Sequence, residues 1–172
     1  MPAVILFYGR ARDLETVSRK IALDVGDKTI GVALSDELGL TGQGLMTIER
    51  IGIKKDTDAV LALIREYSCD TVVVGLPLNL NGTDSVQTEK VRAFREKLEN
   101  KLRSSGMADV RVVWQDERFT TVIAEDVLIS ADVSRKKRKE VIDKQAAVLI
   151  MQSWLDTERI RASQAEEKEE ER

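Results

Sequence analysis

The chain lacks histidine altogether and contains a single cysteine, Cys69, among its 172 residues. Without imidazole, the serine and cysteine triads that use it as a base are excluded, so any catalysis must depend on carboxylates. One cysteine rules out an intramolecular disulfide framework, and no cysteine–histidine spacing for zinc exists. Because no histidine could activate Cys69, we expect it to pack in the core rather than act as a nucleophile.

Long apolar runs and aromatic residues are also scarce. No run approaches the roughly 18 apolar residues needed to span a bilayer. The short segment AVILFY is soon followed by Arg10 and Arg12, which is not typical of a signal peptide. We therefore expect a cytoplasmic protein that does not enter the membrane. Aromatic residues make up 4% of the chain, which argues against base stacking as the main mode of nucleic-acid recognition.

Charge is unevenly distributed along the chain. The net charge is −3, and residues 164–172 alone carry five glutamates against one lysine and one arginine, so the rest is about neutral. A neutral body can still hold a local basic patch. The length fits one folded domain, which we place at 20–160, after an N-terminal extension at 1–19. An acidic tail at 161–172 either frays from a helix or, as we expect, is disordered.

Hydrophobic periodicity predicts five strands and four helices. The strand patterns lie near 20–26, 29–36, 44–49, 71–75 and 110–115. The helical patterns lie near 55–67, 84–103, 121–129 and 138–161. Short connections predict antiparallel pairing of the first three strands, whereas the last two follow helices and predict parallel, right-handed crossovers. The predicted fold class is α/β, with a mixed five-stranded sheet flanked by helices.

The stretch KIALDVGDKTIGVALSD, at 20–36, predicts a β-hairpin with an acidic residue inside an apolar strand. Asp24 shares a strand face with Ala22 and Gly26, and the partner strand offers small residues there, which leaves space above the carboxylate. A buried charge costs several kcal/mol unless a cation or donors compensate it. A strand-end Asp that caps the turn is the alternative, although Asp27 is available for that role. We interpret Asp24 as functional.

Two polar segments follow predicted parallel strands, at the end where open α/β sheets bind ligands. In VGLPLNLNGTDSVQTEK, at 74–90, Asp84 with Gln87 resembles a capping box, and such a helix start can bind an anion. A polar loop with a well-made cap is an equal alternative for this segment. In WQDERFTT, Asp116 and Glu117 are adjacent, so that one carboxylate can reach the site while the other turns away.

Asp143 precedes Ala147, Ile150 and Trp154 at helical spacing, so we expect it on the buried side of its helix. The alternative is a position at the border of that side.

Separate carboxylates without histidine suit an oxygen-ligand site for Mg²⁺ or Mn²⁺. Two such ions about 4 Å apart activate a water and stabilise the leaving oxygen of a phosphodiester. The basic run from Arg135 to Lys139 predicts phosphate contact, with a solvated loop as the alternative.

Four blocks of the sequence together resemble the bacterial YqgF/RuvX family over residues 20–156: LDVGDKTIGVALSD, VGLPLNLNGTDSVQTEKVRAF, DERFTT and SRKKRKEVIDKQAAVLIMQSWLD. That family comprises ribonuclease H-like proteins described as pre-16S rRNA nucleases and as similar to Holliday junction resolvases. The resemblance implies an RNase H-like fold and a divalent-metal nuclease activity. It also implies metal ligands, which are the catalytic residues, at Asp24, Glu117 and Asp143.

The chain departs from the family pattern at Thr29, where arginine is usual after lysine, and at Phe119, where leucine is usual. The first departure affects a substrate contact, and the second affects packing. From the resemblance and the basic run we expect substrate contacts from Lys28, Asn81, Thr83, Arg118, Arg135, Lys136 and Lys137.

We therefore expect a cytoplasmic nuclease that uses two Mg²⁺ or Mn²⁺ ions to cut structured RNA, the 5′ region of the small-subunit rRNA precursor, as a monomer or weak homodimer. A resolvase of branched DNA with the same fold and a non-catalytic RNA-binding module are the alternatives. The stretch LDVGDKTIGVALSD also resembles the first phosphate loop of actin-like and sugar-kinase-like ATPases. Those enzymes need two such lobes, for which 172 residues leave no room.

Overall fold

The computed structural model describes the backbone of residues 18–116 and 135–170, and the side chains of 18–116 and 145–169. Within those residues there are five strands: β1 (Arg19–Val25), β2 (Thr29–Ser35), β3 (Gly42–Glu49), β4 (Cys69–Leu76) and β5 (Arg111–Asp116). They are accompanied by three helices: α1 (Ile53–Glu66), α2 (Val86–Ser104) and α3 (Arg135–Glu170). The helix predicted near 121–129 lies outside the described residues.

The five strands form one sheet in the order β3-β2-β1-β4-β5. β1, β2 and β3 pair antiparallel through short turns, whereas β4 joins β1 in parallel through α1, and β5 joins β4 in parallel through α2. Leu23, in the central strand, pairs with Val32 of β2 and with Val74 of β4. The predicted mixed sheet is confirmed, and it is the architecture that an RNase H-like fold requires.

Each face of the sheet has its own apolar core, because side chains alternate along every strand. On one face, Leu23 and Val74 pack with residues such as Phe94 and Leu98 of α2, all with no exposed surface. On the other face, Ala22 and Val73 pack with residues of α3. β4 is buried on both faces, as its continuous apolar run predicted.

A buried ion pair fixes the start of α1. The Asp56 carboxylate, whose side chain is 0% exposed, accepts from Arg50 Nε at 2.9 Å and from the backbone N–H of Ile51 at 3.0 Å. The Arg50 guanidinium also lies 5.7 Å from the ring centre of Phe94. Gly52 precedes the helix with a φ of 135°, a conformation open to glycine. α1 thus has no side-chain cap at Gly52, and Asp56 instead ties the chain that enters the helix to its first turn.

α2 begins later than the sequence predicted, and the predicted capping box of Asp84 with Gln87 is wrong. Ser85 is the N-cap, and its hydroxyl accepts from the Thr88 N–H at 3.2 Å while the Thr88 hydroxyl accepts from the Ser85 N–H at 2.8 Å. Asp84 instead pairs with Leu78 in an isolated β-bridge, which keeps the chain extended up to the cap. Gln87 is thereby free of a capping role.

α3 is longer at both ends than the predicted 138–161. The basic run from Arg135 to Lys139, for which a loop was the alternative, lies in its first turns. Residues 161–170, where we expected disorder, continue the helix to Glu170. Ala, Gln, Glu and Lys favour helix there, and an exposed pair between Arg161 and Glu158 at 2.8 Å adds support. None of the helices within the described residues is both long and apolar enough to cross a membrane.

Replacing Arg50 by Met should destabilise the fold by about 3 kcal/mol, because it leaves the Asp56 carboxylate buried without its cation. Urea unfolding followed by circular dichroism measures this change. Arg161→Met removes an ion pair in which the two side chains are 70% and 37% exposed, so it is the matched control and should cost about 0.5 kcal/mol or less. Equal losses in the two variants would contradict the role given to the buried pair.

Candidate functional site

The candidate site lies where the carboxyl ends of β1, β4 and β5 meet. These three strands are parallel to one another, so the segments that follow them emerge at one edge of the sheet. Asp24 is the penultimate residue of β1 and is half-buried at this edge. The edge therefore gathers the β1–β2 turn, the loop after β4 and the chain that follows Asp116.

Asp24 belongs to a row of residues that crosses all five strands on the face of α3. Asp24 pairs with Gly31, and Gly31 pairs with Thr47 on the outer strand β3. On the other side Gly75 follows Val74, the partner of Leu23, and pairs with Gln115 of β5. Glycine has no side chain, so the positions on both sides of Asp24 in this row carry no side chain. The outer residues of this row are Thr47 on β3 and Gln115 on β5.

Thr47 is the polar group of this row with the least obvious structural role. Its hydroxyl oxygen is buried and has no hydrogen-bond partner, the single case of this kind among the described side chains. A buried hydroxyl without a partner costs free energy, and such groups in native proteins often face a water or ligand. Thr47 was not singled out from the sequence, because a threonine on an outer strand is ordinary.

Strand alternation separates Asp116 from Asp24. Asp116 pairs with Leu76, and both follow the parity of Val74 and Trp114, which face α1 and α2. Asp24 follows the parity of Ala22, which faces α3. Of the adjacent Asp116 and Glu117, the register therefore gives Asp116 the face opposite to Asp24.

α3 runs antiparallel to β1 across this face. Trp154 and Leu155 line a cleft with Ser18 and Lys20, at the start of β1, whereas Ala147 packs in one cluster with Ala22 further along the strand. Four residues along a helix rise about 6 Å, and two residues along a strand rise about 6.6 Å. The backbone of position 143 lies one turn before Ala147, toward the N-terminus of α3.

In the loop from Pro77 to Ser85, polar side chains form hydrogen bonds within the loop itself. The Asn81 carboxamide oxygen accepts from the Thr83 N–H at 3.0 Å and from its hydroxyl at 2.7 Å, and Asn79 donates to the same hydroxyl at 3.0 Å. Gly82 closes the turn with a φ of 82°. The loop is held in one shape, and Leu80 at its tip is 69% exposed.

Side chains from outside the hairpin hold the end of β1. Gln87 Nε2 donates to the carbonyl of Val25 at 2.8 Å, and Arg50 Nη1 donates to the carbonyl of Gly26 at 2.8 Å. Lys90 lies 2.6 Å from the Asp27 carboxylate in the turn. Sequence reasoning missed these contacts, because each joins residues at least 24 positions apart and a polar side chain gives no signal of so distant a partner.

The structure brings together only part of the predicted site. Lys28, Asn81 and Thr83 are exposed at the same edge as Asp24. Two of the predicted residues, Glu117 and Arg118, lie outside the described residues, and so do the side chains of Arg135, Lys136, Lys137 and Asp143. Among the side chains that are described, no three acidic, histidine or cysteine residues group closely enough to hold a metal ion. The trio of Asp24, Glu117 and Asp143 stays a prediction.

At the opposite end of these strands, the starts of β1 and β4 are joined by hydrogen bonds to Asp70. The Asp70 carboxylate accepts from Lys20 Nζ at 2.7 Å and also from Ser18 and Thr71. Burial alone would raise the pKa of Asp70, but these hydrogen bonds outweigh burial and hold it below its usual range. Burial, with a smaller effect of Asp70, raises the pKa of the neighbouring Cys69 thiol to about 11. Cys69 is buried in the core, as expected.

Comparison with known proteins identifies relatives over most of the chain. A family model described as Holliday junction resolvase, RuvX, matches residues 18–157. A protein of Desulforamulus reducens named "Putative pre-16S rRNA nuclease" is 53% identical over 139 residues, which are 81% of this chain and 97% of that protein. A protein of Bacillus mycoides with the same name is 51% identical over 142 residues, 81% of this chain and 98% of the relative.

Solved structures show more distant similarity. RuvC of T. thermophilus, in complex with a Holliday junction substrate, matches with a TM-score of 0.48 and 11% identity over 77% of this chain and 91% of that one. The Fowlpox virus resolvase bound to Holliday junction DNA matches with a TM-score of 0.48 and 14% identity over 81% of this chain and 97% of the other.

The Cys69 thiol should be nearly inert in the folded protein. With its pKa at about 11, the thiolate fraction at pH 8 is small compared with that of an unfolded chain, whose cysteine pKa is about 8.5. Alkylation by iodoacetamide at pH 8 should therefore be about 100-fold slower in native protein than in urea-unfolded protein, as followed by mass spectrometry. Similar rates in the two states would show that Cys69 is accessible and ionised.

Proposed function

The chain belongs to the family of the Holliday junction resolvase RuvX, and from that membership we propose that it is a divalent-metal-dependent nuclease that hydrolyses structured RNA. The substrate we propose is the 5′ end of pre-16S rRNA, in ribosome biogenesis. The names of relatives 53% and 51% identical over nearly their whole length support this choice. The observation that carries the chemistry is Asp24, a carboxylate set between two glycines at the ligand-binding edge of the sheet.

The residues present fit a divalent cation. Asp24 offers carboxylate oxygen, the donor that Mg²⁺ and Mn²⁺ prefer, and the chain has no histidine that would favour zinc or copper. Gly31 and Gly75 put no side chain beside Asp24 in the row, which suits an ion that keeps several of its waters. One carboxylate alone does not hold such an ion firmly, so further acidic ligands would have to approach Asp24 from other elements.

Glu117 and Asp143 are the ligands we propose beside Asp24. Strand parity supports Glu117 over Asp116, because residues of even and odd number alternate between faces and Asp116 follows the face opposite to Asp24. The position of Asp143 one turn before Ala147, on the stripe of α3 that covers Ala22, supports the second assignment. Strand β1, the segment after strand β5, and helix α3 would then each contribute one carboxylate.

Bound divalent ions would supply activation of a water and stabilisation of the leaving oxygen of the phosphodiester. The chain's own carboxylates would hold those ions and orient their waters. Lys28, exposed in the β1–β2 turn, and Asn81, Thr83 and Arg118 would contact the substrate at the same edge. Because Asn81 and Thr83 bond each other in the loop, we assign them to shaping the loop and presenting its backbone as much as to direct contact.

Arg135, Lys136 and Lys137 open α3 as part of a run of five consecutive cations. Cations at a helix N-terminus oppose the helix dipole, so they are not placed there for helix stability. A phosphate backbone that passes the start of α3 would offset that repulsion. We therefore assign the run to substrate affinity rather than to chemistry.

A Holliday-junction-type DNA resolvase is the second candidate, and the description of the matching family favours it. Both candidates use the same carboxylates, so they differ in substrate alone. Cytoplasmic location and a monomer or weak dimer stay as proposals with either function.

Wild-type protein with Mn²⁺ or Mg²⁺ should cleave a pre-16S leader RNA faster than a four-way DNA junction. Asp24→Asn keeps the shape but removes a ligand charge, so cleavage should fall by about 100-fold or more. The variant should fold and melt at or slightly above the metal-free wild type, because repulsion among carboxylates is relieved. Gel-based cleavage rates and melting temperatures with and without Mn²⁺ measure both effects.

Asp27→Asn is the matched control, since Asp27 lies in the same hairpin and its charge is balanced by Lys90. It should cleave like wild type and keep the rise in melting temperature that Mn²⁺ gives. Faster cleavage of the junction than of the RNA would select the resolvase function. Turnover of Asp24→Asn equal to that of wild type would remove Asp24 from the mechanism.

Replacing Lys136, Lys137 and Lys139 together by Ser should weaken RNA binding and flatten its salt dependence. Each lost phosphate contact takes roughly 0.7 to 0.9 off the slope of log K against log[salt], so the slope should change by about 2. Fluorescence anisotropy with labelled leader RNA at several salt concentrations gives the slope. Turnover at saturating RNA should change little.

The charge-matched control replaces Lys54, Lys55 and Lys97 by Ser, three exposed lysines on α1 and α2, which cover the other face of the sheet. This variant loses the same net charge and should keep nearly the wild-type slope. If the two triple variants bind RNA alike, the run at the start of α3 has no special role.

A further inference from the structure

The side chain of Gln87 supplies a hydrogen bond to β1 that the neighbouring strand β4 cannot supply. Side chains and carbonyls alternate along β1, and the N–H of Gly26 donates to Thr29 on the β2 side, so the carbonyl of Val25 points toward β4. In the parallel register that pairs Leu23 with Val74, the next donor due to that carbonyl is the N–H of residue 77. Residue 77 is proline and has no N–H. Gln87 Nε2 donates to the Val25 carbonyl instead, at 2.8 Å.

This contact joins the two segments that frame the candidate site. Val25 directly follows Asp24, while Gln87 lies in the first turn of α2, whose cap is tied to the loop after β4. That tie consists of two hydrogen bonds to the Pro77 carbonyl, one from Ser85 Oγ at 3.1 Å and one from Thr88 Oγ1. The half-buried side-chain amide of Gln87 therefore links the end of β1 to the loop after β4.

We propose that Gln87 is a positioning residue that holds the Asp24 carboxylate in place for metal binding by completing the β1–β4 ladder where Pro77 ends it. The proposal rests on the function proposed above, since it concerns how the site of Asp24 is held. A carboxylate near the end of a strand moves when the strand backbone moves, and small misplacements of a ligand weaken a metal site. Gln87 touches neither metal nor substrate and acts through Val25.

The test compares two glutamines with the same local chemistry at opposite edges of the sheet. Gln87→Met removes the donor and keeps the length of the side chain. Gln152→Met is the control, because Gln152 on α3 also donates to a loop carbonyl, that of Leu40, at 3.4 Å, and accepts from the Gly42 N–H at 3.3 Å. Both variants lose hydrogen bonds from a helix to the backbone at a strand end, but only the first lies beside Asp24.

Mn²⁺ binding to the full chain is measured by isothermal titration calorimetry at pH 8, with thermal unfolding as a check on the fold. Gln87→Met should bind Mn²⁺ about 10-fold more weakly than wild type, and Gln152→Met should bind it within about 2-fold of wild type, with similar melting temperatures for the two variants. Gln87→Glu is the second variant in case the Met variant does not fold. Its ionised carboxylate has no donor for the Val25 carbonyl, so the same loss is expected.

Asp24→Asn separates failure of this inference from failure of the proposed function. If wild type and Asp24→Asn bind Mn²⁺ equally poorly, the metal site itself is refuted and the positioning role falls with it. If Asp24→Asn loses binding but Gln87→Met and Gln87→Glu bind like wild type, the metal site stands and the role of Gln87 is overturned. If Gln152→Met loses as much affinity as Gln87→Met, the effect is one of general stability and the role is likewise overturned.

Discussion

The parallel pairing of β1 with β4 is the constraint on which both the fold and the candidate site depend. A parallel pair needs a crossover, which α1 supplies, and both of its faces must be covered. The pairing places the end of β1 beside the end of β4, so that Asp24 comes to lie next to Gly75. It also brings Pro77 to the point where the ladder would continue. The site is thus a consequence of where the pairing stops.

Buried polar groups near that point are satisfied by side chains from distant elements. Arg50 joins the carbonyl of Gly26 to the buried carboxylate of Asp56, and Gln87 takes the carbonyl of Val25. A buried ion pair adds little net stability compared with apolar residues of the same volume, because desolvation offsets the attraction. The value of Arg50 is therefore geometric: it fixes the turn after Asp24 to the start of α1.

The strands of the sheet could be predicted from the sequence because each has its own local pattern of apolar residues. The apolar runs at 71–75 and 20–26 predict buried strands, and Asp24 is the charged residue inside the second of them. The cap of α2 was misplaced because Asp84 and Ser85 are both good N-caps, and the choice depends on a bridge to Leu78. Gln87 gave no signal, since its partner is 62 residues away.

Small residues on the α3 face serve packing and the site together. Ala22 and Ala33 let the helix approach the sheet closely, and at Gly42 an added Cβ would lie 2.8 Å from the side chain of Met151. Further along the same face, Gly31 and Gly75 add no side chain at the positions beside Asp24. The opposite face instead packs large residues such as Phe94 and Leu98 against the sheet. The α3 face, with its small residues beside Asp24, is therefore the one on which we place the ligand.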